Sequence, residues 1–519
     1  MASEAISSGP VSIGRPSHRP VLAVIAVVLG AFIHSLDTRL FSIGLADLRG
    51  AFGLTLDEGS WLSTAATAPQ ILIAPAIAWL ATVFGLRRVL VGPSLVYIAI
   101  SLLIPFARDY QTLLVLHIVH SLLPGVFIPV TIMIVLRNLP MRWWIVGLAA
   151  YSFRLSFTSN AGVWMVGYHV QNLGWEWLYW QNAVVALLMM ILTLLGTPRE
   201  NINHQLLAKA DWSGMLLFGA GLALIYTGLD QGNRLDWFES GTVIALLAGG
   251  TVLLVCFLIN EAVVAEPWAS PTVLTSRNVL LAMATMITYM VTSLSNTMLV
   301  PTFLTAVAGL RPEQTGSLLL LYTALPICIV MLVAIYLLRR IDARFVVICG
   351  LTSFAIAAWM GTRITGEWAL DDFIPIALAQ ALGQGLTFTA LLIFVLANSN
   401  PARATAFVAY IQVMRLNMIE ITVTGMNTWL RVREQTHSHL IGLHVSAGDS
   451  EVAQRLAQLT GQFLDYSTAA QMASARAMAT LARLVRMSCR SSTALPSPSG
   501  APSSGCCWSA SCAPHRPDL

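Results

Sequence analysis

The chain has 519 residues, of which 56% are hydrophobic and only 10% are charged. Ordinary soluble domains hold about 25% charged residues, so this supply of charge cannot cover a water-soluble surface. The formal net charge is +4, and the basic residues lie in short loops rather than on one continuous face, which argues against nucleic-acid binding.

Residues 1–20 are polar and rich in Ser, Pro and Gly, without a cleavage site after a short apolar core. We expect a cytoplasmic N-terminal tail and an uncleaved insertion signal in the first apolar run. Thirteen apolar runs then follow between Val21 and Leu430, and a helix of about 20 apolar residues crosses a bilayer. The sequence therefore predicts an all-α polytopic membrane protein with about 13 to 14 transmembrane helices in contact with the lipid bilayer.

Basic residues concentrate in alternate loops, at Arg87, Arg88, Arg137, Arg142, Arg199, Lys209, Arg339, Arg340 and Arg344. The positive-inside rule places these loops, and with them the N-terminus, in the cytoplasm. We expect a multi-pass protein of the bacterial inner membrane.

After the thirteenth run, residues 431–487 read as a polar, mostly helical extracytoplasmic segment. Residues 488–519 are dominated by Ser, Pro, Cys and Ala, with no apolar run long enough to cross a membrane. This low-complexity tail suggests that the reading frame changed near Met487 and that a fourteenth helix was lost.

Several motifs occur in the order typical of one transporter family. They are Leu36-Asp37, Trp61-Leu62-Ser63-Thr64-Ala65, Gly85-Leu86-Arg87-Arg88-Val89, the aromatic stretch from Trp175 to Asn182, Val300-Pro301-Thr302-Phe303-Leu304, and Arg415. With them the chain resembles the fourteen-helix drug/proton antiporter branch of the major facilitator superfamily. The resemblance implies two six-helix bundles, at 21–196 and 261–430, joined by two linker transmembrane helices at 197–260.

The chain departs from the family pattern at several places. In the basic loop, Thr82 replaces an aspartate and Ala78 a glycine, while Gly85, Arg87 and Arg88 keep the predicted gating loop. In the fourth run, His117 and His120 replace an arginine and a glutamine. The fifth run retains glycines of the antiporter motif but not its proline.

The resemblance implies secondary active transport, with proton-coupled efflux of small amphipathic or aromatic drug-like compounds. Its partners would be protons, a small-molecule substrate and a periplasmic adaptor protein. Two alternatives stay open: transport of an anionic metabolite in either direction, or a compromised product without its last helix. No phosphate-binding Gly-x-x-x-x-Gly-Lys motif and no His-Glu-x-x-His cluster occurs, so we expect neither ATP drive nor an enzyme, and no cofactor.

Ionisable residues inside membrane helices are functional candidates, because they are expensive to insert. Asp37 is the first candidate for proton coupling, since a carboxylate in a partly dry cavity can take up and release a proton. Its alternative role is to pair with an arginine of another helix. Arg39, two residues away, points about 200° around the helix and is expected to reach the outer interface.

The fifth run is unusually polar, with Arg154, Ser156 and Asn160 predicted to line the substrate path. The serines and asparagine could instead serve helix packing. Arg154 would favour an anionic substrate or need an acidic partner. Asp37, an acidic residue inside another predicted helix, is the candidate for that partner.

Arg415 and Glu420, about 140° apart on the thirteenth helix, are predicted to reach separate neighbours, one binding substrate and the other a proton. His117 and His120 share one face and add two proton-coupling candidates. Their alternatives are a plain hydrogen-bonded pair and a metal site, but two ligands are too few for a complete site. We therefore predict no metal.

Overall fold

A computed structural model describes residues 19–264, 267–269, 277–365, 368–397 and 404–442, and the single positions 454, 457, 458 and 460. Nearly all of the predicted N-terminal tail, most of 431–487 and the whole of 488–519 lie outside the described residues. The expectations for these segments stay predictions. In the described part of the chain, all regular structure is helical.

Six long helices form the first half of the molecule. Their bounds are α1 (Pro20–Phe52), α2 (Leu56–Phe84), α3 (Leu86–Leu103, followed by a 3-10 turn at Ile104–Phe106), α4 (Tyr110–Leu122 and Pro124–Asn138), α5 (Met141–Asn172) and α6 (Trp177–Gly196). Pro124 lacks a backbone N–H, which explains the interruption within α4.

The turn between α1 and α2 is defined by local chemistry. α1 ends at Gly53, whose φ of +61° lies in the left-handed region that glycine adopts without strain. Thr55 then caps α2: its hydroxyl accepts a hydrogen bond from the backbone N–H of Glu58 at 3.2 Å, and the Glu58 carboxylate accepts one from the backbone N–H of Thr55 at 2.8 Å. This reciprocal pair satisfies two helix-end donors.

Two further helices, α7 (Trp212–Gly232) and α8 (Gly241–Val263), connect the halves, with short helices at His204–Ala208 and Trp237–Glu239. α7 packs on α2, where a side chain at Gly219 would collide with the carbonyl oxygen of Leu72. α8 packs on α7 and leaves Val252, Leu258 and Val263 exposed. An apolar surface of this kind suits contact with lipid.

Five helices form the second half. Their bounds are α9 (Arg277–Leu294, Ser295–Leu299 and Val300–Ala306), α10 (Pro312–Leu319, Leu320–Ala324 and Leu325–Leu338), α11 (Ala343–Gly361), α12 (a 3-10 turn at Asp371–Phe373 and Ile374–Ala397) and α13 (Ala404–Val413, Met414–Met418 and Ile419–Gly442).

The middle segments of α9, α10 and α13 are single π-helical turns. Such turns free backbone carbonyls and are frequent at functional sites. In α9 and α10, the α-helical segment after the π-helical turn has Pro301 or Pro326 as its second residue.

In the part of the chain that the structure describes, eleven helices are long and apolar enough to cross a membrane. Two more long helices, α5 and α13, pack among them and carry buried polar side chains, including Arg154 and Arg415. The all-α polytopic architecture predicted from the sequence is confirmed, and the chain is a multi-pass membrane protein. α13 continues to Gly442, beyond the predicted end at Leu430.

The two halves meet along α1, α2 and α5 on one side and α9, α10, α12 and α13 on the other. α5 lies so close to α10 that a side chain at Gly316 would overlap the backbone of Trp164. The predicted residues Asp37, Arg154, Ser156, Asn160 and Arg415 are buried along or beside this interface, and Glu420 is half-buried.

Candidate functional site

Asp37, in the middle of α1, is 1% exposed and lies at the centre of a polar network. Its Oδ1 accepts hydrogen bonds from the Tyr97 hydroxyl of α3 and from the Asn182 side-chain amide of α6, both at 3.2 Å. Its Oδ2 lies 3.7 Å from Nδ1 of His120 in α4. Four helices of the first half therefore converge on one carboxyl group.

His120 extends this network. Its Nε2 lies 2.9 Å from the Ser101 hydroxyl, and its ring stacks on Tyr97 with 4.4 Å between ring centroids. His117 lies on the same side of α4, with its ring edge against Phe41 at 4.5 Å. Among the described residues, only His120 of this predicted pair lies within ion-pair distance of Asp37.

Aromatic rings enclose the carboxyl group. Tyr179 of α6 and Phe41 of α1 lie 4.9 Å apart between ring centroids, and both contact the two histidines. Chemically, the site is a buried carboxyl group among neutral donors and one titratable imidazole. It can hold a proton, and His120 and Ser101 provide a path along which a proton could move.

Of the two roles considered for Arg154, the structure does not support the one in which Asp37 is its acidic partner. Arg154 of α5 contacts a side of α1 different from the one that carries Asp37. Its Nη1 donates to the Ser35 hydroxyl and to the carbonyl oxygen of Ala31, the latter at 3.3 Å. Its Nε donates to the carbonyl oxygen of Tyr151 at 3.2 Å. Side chains two residues apart on a helix point in different directions, so Ser35 and Asp37 serve separate sites.

Arg415 approaches the same region from the second half. It lies in the π-helical turn of α13, is 4% exposed, and its Nη1 is 3.1 Å from Nε2 of His34 in α1. Arg154 contacts Ser35, the next residue of α1. The structure thus brings together two predicted substrate-path residues from opposite halves.

Ser156 and Asn160 also face the second half. The Ser156 hydroxyl lies 3.4 Å from the Tyr289 hydroxyl of α9. The Asn160 amide donates to the Gln384 side chain of α12 at 2.8 Å, and Asn296 of α9 donates to the Asn160 oxygen at 2.8 Å. These contacts join the halves through polar side chains rather than through apolar packing alone.

Arg39 is another residue for which the sequence expectation is wrong. Instead of reaching an interface with water, its Nη2 donates to the carbonyl oxygen of Thr297 at 2.6 Å. Thr297 lies in the π-helical turn of α9. Arg39 therefore connects α1 of the first half with α9 of the second.

Glu420 does not join the Asp37 network. Its carboxylate accepts from the Thr424 hydroxyl at 2.9 Å and interacts with Tyr226 and Asp230 of α7. Arg415 and Glu420 have separate neighbours, as their spacing predicts. The sequence analysis does not identify Tyr226 or Asp230. Asp230 directly follows the seventh apolar run, and an acidic residue at that position is the signal that could have identified it.

The predicted gating loop is held at one end of the first half. Gly85 has a φ of +86°, which favours glycine between α2 and α3. The backbone N–H of Leu86 donates to the Glu200 carboxylate at 3.3 Å, and Arg87 donates to the carbonyl oxygen of Thr197 at 3.5 Å. Arg88 is exposed beside them. Glu200 is a further residue that the sequence interpretation did not identify.

The chain is similar to known proteins in sequence and in fold. The family profile described as Major Facilitator Superfamily matches residues 27–416. The chain is 22% identical over 454 residues to the fatty acid resistance protein FarB of Neisseria gonorrhoeae, covering 86% of this chain and 88% of FarB. It is 23% identical to the multidrug export protein EmrB of Haemophilus influenzae, covering 70% and 71% of the two chains.

A third relative is the probable multidrug resistance protein EmrY of Escherichia coli, 25% identical over 255 residues, and this match spans 49% of each chain. Among solved structures, the proton:xylose symporter XylE aligns with a TM-score of 0.51 and 13% identity over 79% of this chain and 90% of XylE. The human organic anion transporter MFSD10 aligns with a TM-score of 0.51 and 12% identity over 78% and 92%. These two likenesses concern the fold.

Proposed function

The chain belongs to the Major Facilitator Superfamily, and from this premise we propose that it is a proton-driven exporter of small amphipathic compounds. We place it in a bacterial inner membrane with its N-terminus in the cytoplasm. The direction of export and the drug-like cargo are suggested by the relatives named for multidrug export and resistance. The basic residues in alternate loops support the orientation.

The observation that carries the proposal is the environment of Asp37. Burial disfavours a charged carboxylate unless hydrogen bonds or an opposite charge stabilise it. Here the stabilising groups are Tyr97, Asn182 and His120, which come from three other helices. The charge state of Asp37 is therefore linked to how α1 packs against α3, α4 and α6.

This linkage gives a coupling mechanism. A charged Asp37 favours the packing in which all three neighbours point at it, because each contributes a hydrogen bond or a favourable electrostatic contact. When Asp37 takes up a proton, these contacts weaken and α1 is released. Movement of α1 then acts on the contacts between the halves, including the bond from Arg39 to Thr297.

The contacts between halves are suited to a switch. The bonds that join Asn160 with Gln384 and Asn296 are few, directional and replaceable by water. Movement of one bundle against the other around a central site is a general mode of alternating access. The single π-helical turns of α9, α10 and α13 supply places where the helices of the second half can bend.

The test uses proteoliposomes that contain the full chain and an inward-directed proton gradient. Asp37→Asn keeps the shape of the side chain but removes its charge and its proton. We expect it to abolish gradient-driven drug transport and to retain downhill exchange. Asp47→Asn is the matched control, because Asp47 lies in the same helix and is exposed.

Unchanged gradient-driven transport by Asp37→Asn would overturn the assignment of Asp37. A periplasmic adaptor protein is a further partner that we propose on the family resemblance alone. Co-purification of the cross-linked chain from intact cells, with mass spectrometry of the product, tests that partner.

A further inference from the structure

We propose that Arg154, Arg415 and Tyr151 form a recognition site for the anionic head group of an amphipathic cargo, such as a sulfonate or a carboxylate. The inference rests on the proposed transport function and names the substrate class of its central site. It concerns binding, so it can be tested without a proton gradient.

The charges at this site favour binding of an anion. Arg154 is fully buried, yet no carboxylate lies within ion-pair distance of it in the part of the chain that the structure describes. A second buried guanidinium, that of Arg415, lies 3.1 Å from His34, the residue next to the Ser35 that Arg154 contacts in α1. Two buried cations beside each other are unfavourable, and an anion placed near both would relieve their repulsion.

Buried hydrogen-bond donors at this site also favour an anion. Nη1 and Nε of Arg154 donate to the Ser35 hydroxyl and to the carbonyl oxygens of Ala31 and Tyr151, but its buried Nη2 has no hydrogen-bond partner among the described residues. In the same part of the chain, the buried Tyr151 hydroxyl has no partner beyond its interaction with the Arg154 side chain. Its ring centroid lies 4.4 Å from the Arg154 guanidinium carbon. Unsatisfied donors in a buried place are unusual, and they match the acceptor oxygens of an anion.

Apolar side chains near Arg415 could contact the apolar part of the cargo. A cavity in the second half is lined by Met283 and Met286 of α9, Phe388 of α12 and Ile411 of α13, with neighbouring alanine and leucine side chains. Ile411 precedes Arg415 by four residues, about one helical turn. Methionine side chains adapt to apolar groups of different shape. The cationic site therefore has apolar side chains about one helical turn away, and these suit contact with the apolar part of an amphipathic molecule.

The proposed anion site and the Asp37 network lie on different sides of α1. His34 and Ser35 of α1 contact Arg415 and Arg154, whereas Asp37 of the same helix contacts α3, α4 and α6. α1 therefore stands between the cationic cluster and the carboxyl network. Binding of an anion on one side and of a proton on the other would act on the same helix.

The experiment measures equilibrium binding to the purified full chain in detergent with two fluorescent probes of nearly equal shape. One is 8-anilinonaphthalene-1-sulfonate and the other is the neutral N-phenyl-1-naphthylamine. Binding is read from energy transfer from tryptophan, with competition by unlabelled sulfonate. We expect the intact chain to bind the sulfonate probe at least tenfold more tightly than the neutral one.

Arg154→Gln and Arg415→Gln are each expected to weaken sulfonate binding about tenfold and to leave binding of the neutral probe within twofold. Arg154→Lys should restore part of the preference, since it keeps the charge. Arg363→Gln is the control, because Arg363 is exposed at the end of α11. Thermal unfolding curves identify variants that fail to fold, and Arg415→Gln then provides the second test from the opposite half.

Equal affinity of the intact chain for the two probes, or no detectable binding of the sulfonate probe, would overturn the inference. So would equal losses for both probes in the glutamine variants. None of these results bears on Asp37, whose role is tested by gradient-driven transport. Conversely, loss of proton coupling would not remove a preference for the anion measured at equilibrium.

Discussion

The Tyr97 hydroxyl donates a 3.2 Å hydrogen bond to the Asp37 carboxylate across the interface of α3 and α1. It is one of two donors to the same oxygen, the other being Asn182 of α6. Tyr97 is itself fully buried against His120 and Phe127. The carboxyl group thus depends on donors that are held in place by packing.

Tyr97→Phe removes this donor and keeps the ring. A single hydrogen bond contributes about 1 kcal/mol, so we expect gradient-driven transport to fall about fivefold. Binding of cargo should not change, because Tyr97 contacts Asp37, whereas Arg154 contacts Ser35 on another side of α1. The measurement is cargo-induced proton flux in proteoliposomes with a pH-sensitive dye. Tyr336→Phe, on the exposed side of α10, is the control; a parallel loss of cargo binding would contradict the prediction.

His120→Gln should separate the two histidines of α4. His120 lies between Asp37 and Ser101, whereas His117 packs against Phe41. We expect His120→Gln to slow proton flux at least tenfold and His117→Gln to slow it less than threefold. Stopped-flow proton release measures both. Equal effects of the two substitutions would count against a relay through His120.

Arg39→Gln shortens the side chain that binds the carbonyl oxygen of Thr297. Hydrogen bonds from charged groups contribute roughly 1.5–3 kcal/mol, so the loss should shift the equilibrium between conformations at least tenfold. The shift can be followed by distances between spin labels on α1 and α9. Arg108→Gln, in an exposed loop, should leave the distances as they are. A distance distribution unchanged by Arg39→Gln would show that the bond does not hold the halves.

Gly316→Ala tests the close approach of α10 to α5. A methyl group at this position would overlap the backbone of Trp164, and overpacking of this kind costs typically 1–3 kcal/mol. We expect a lower midpoint of thermal unfolding and slower transport, since the halves can no longer close there. Gly425→Ala places the same methyl group in open space on α13. If both variants unfold at the same temperature, the close contact between α10 and α5 does not contribute to stability, and the prediction is contradicted.

Several residues illustrate how far sequence reasoning reaches. Asp37, Arg154 and Arg415 could be chosen because charged side chains inside apolar runs are rare and conspicuous. Their contact partners could not be chosen from the sequence, because Tyr97, Asn182 and Ser35 are common residue types and lie far along the chain from the residues that they contact. Arg39 was placed at an outer interface from its distance to Asp37 along the helix. Its actual partner is a backbone carbonyl, which leaves no mark in the sequence.

The composition and the spacing of apolar runs were enough to determine an all-helical, multi-pass membrane protein, because a lipid bilayer constrains helix length and polarity within each segment. The tertiary structure decided which buried charges meet. It separated Asp37 from Arg154, although the two had been suggested as a pair, and placed Glu420 beside Asp230 of α7. Such pairings depend on helix rotation and crossing, and these are determined by packing between segments, which no single segment encodes.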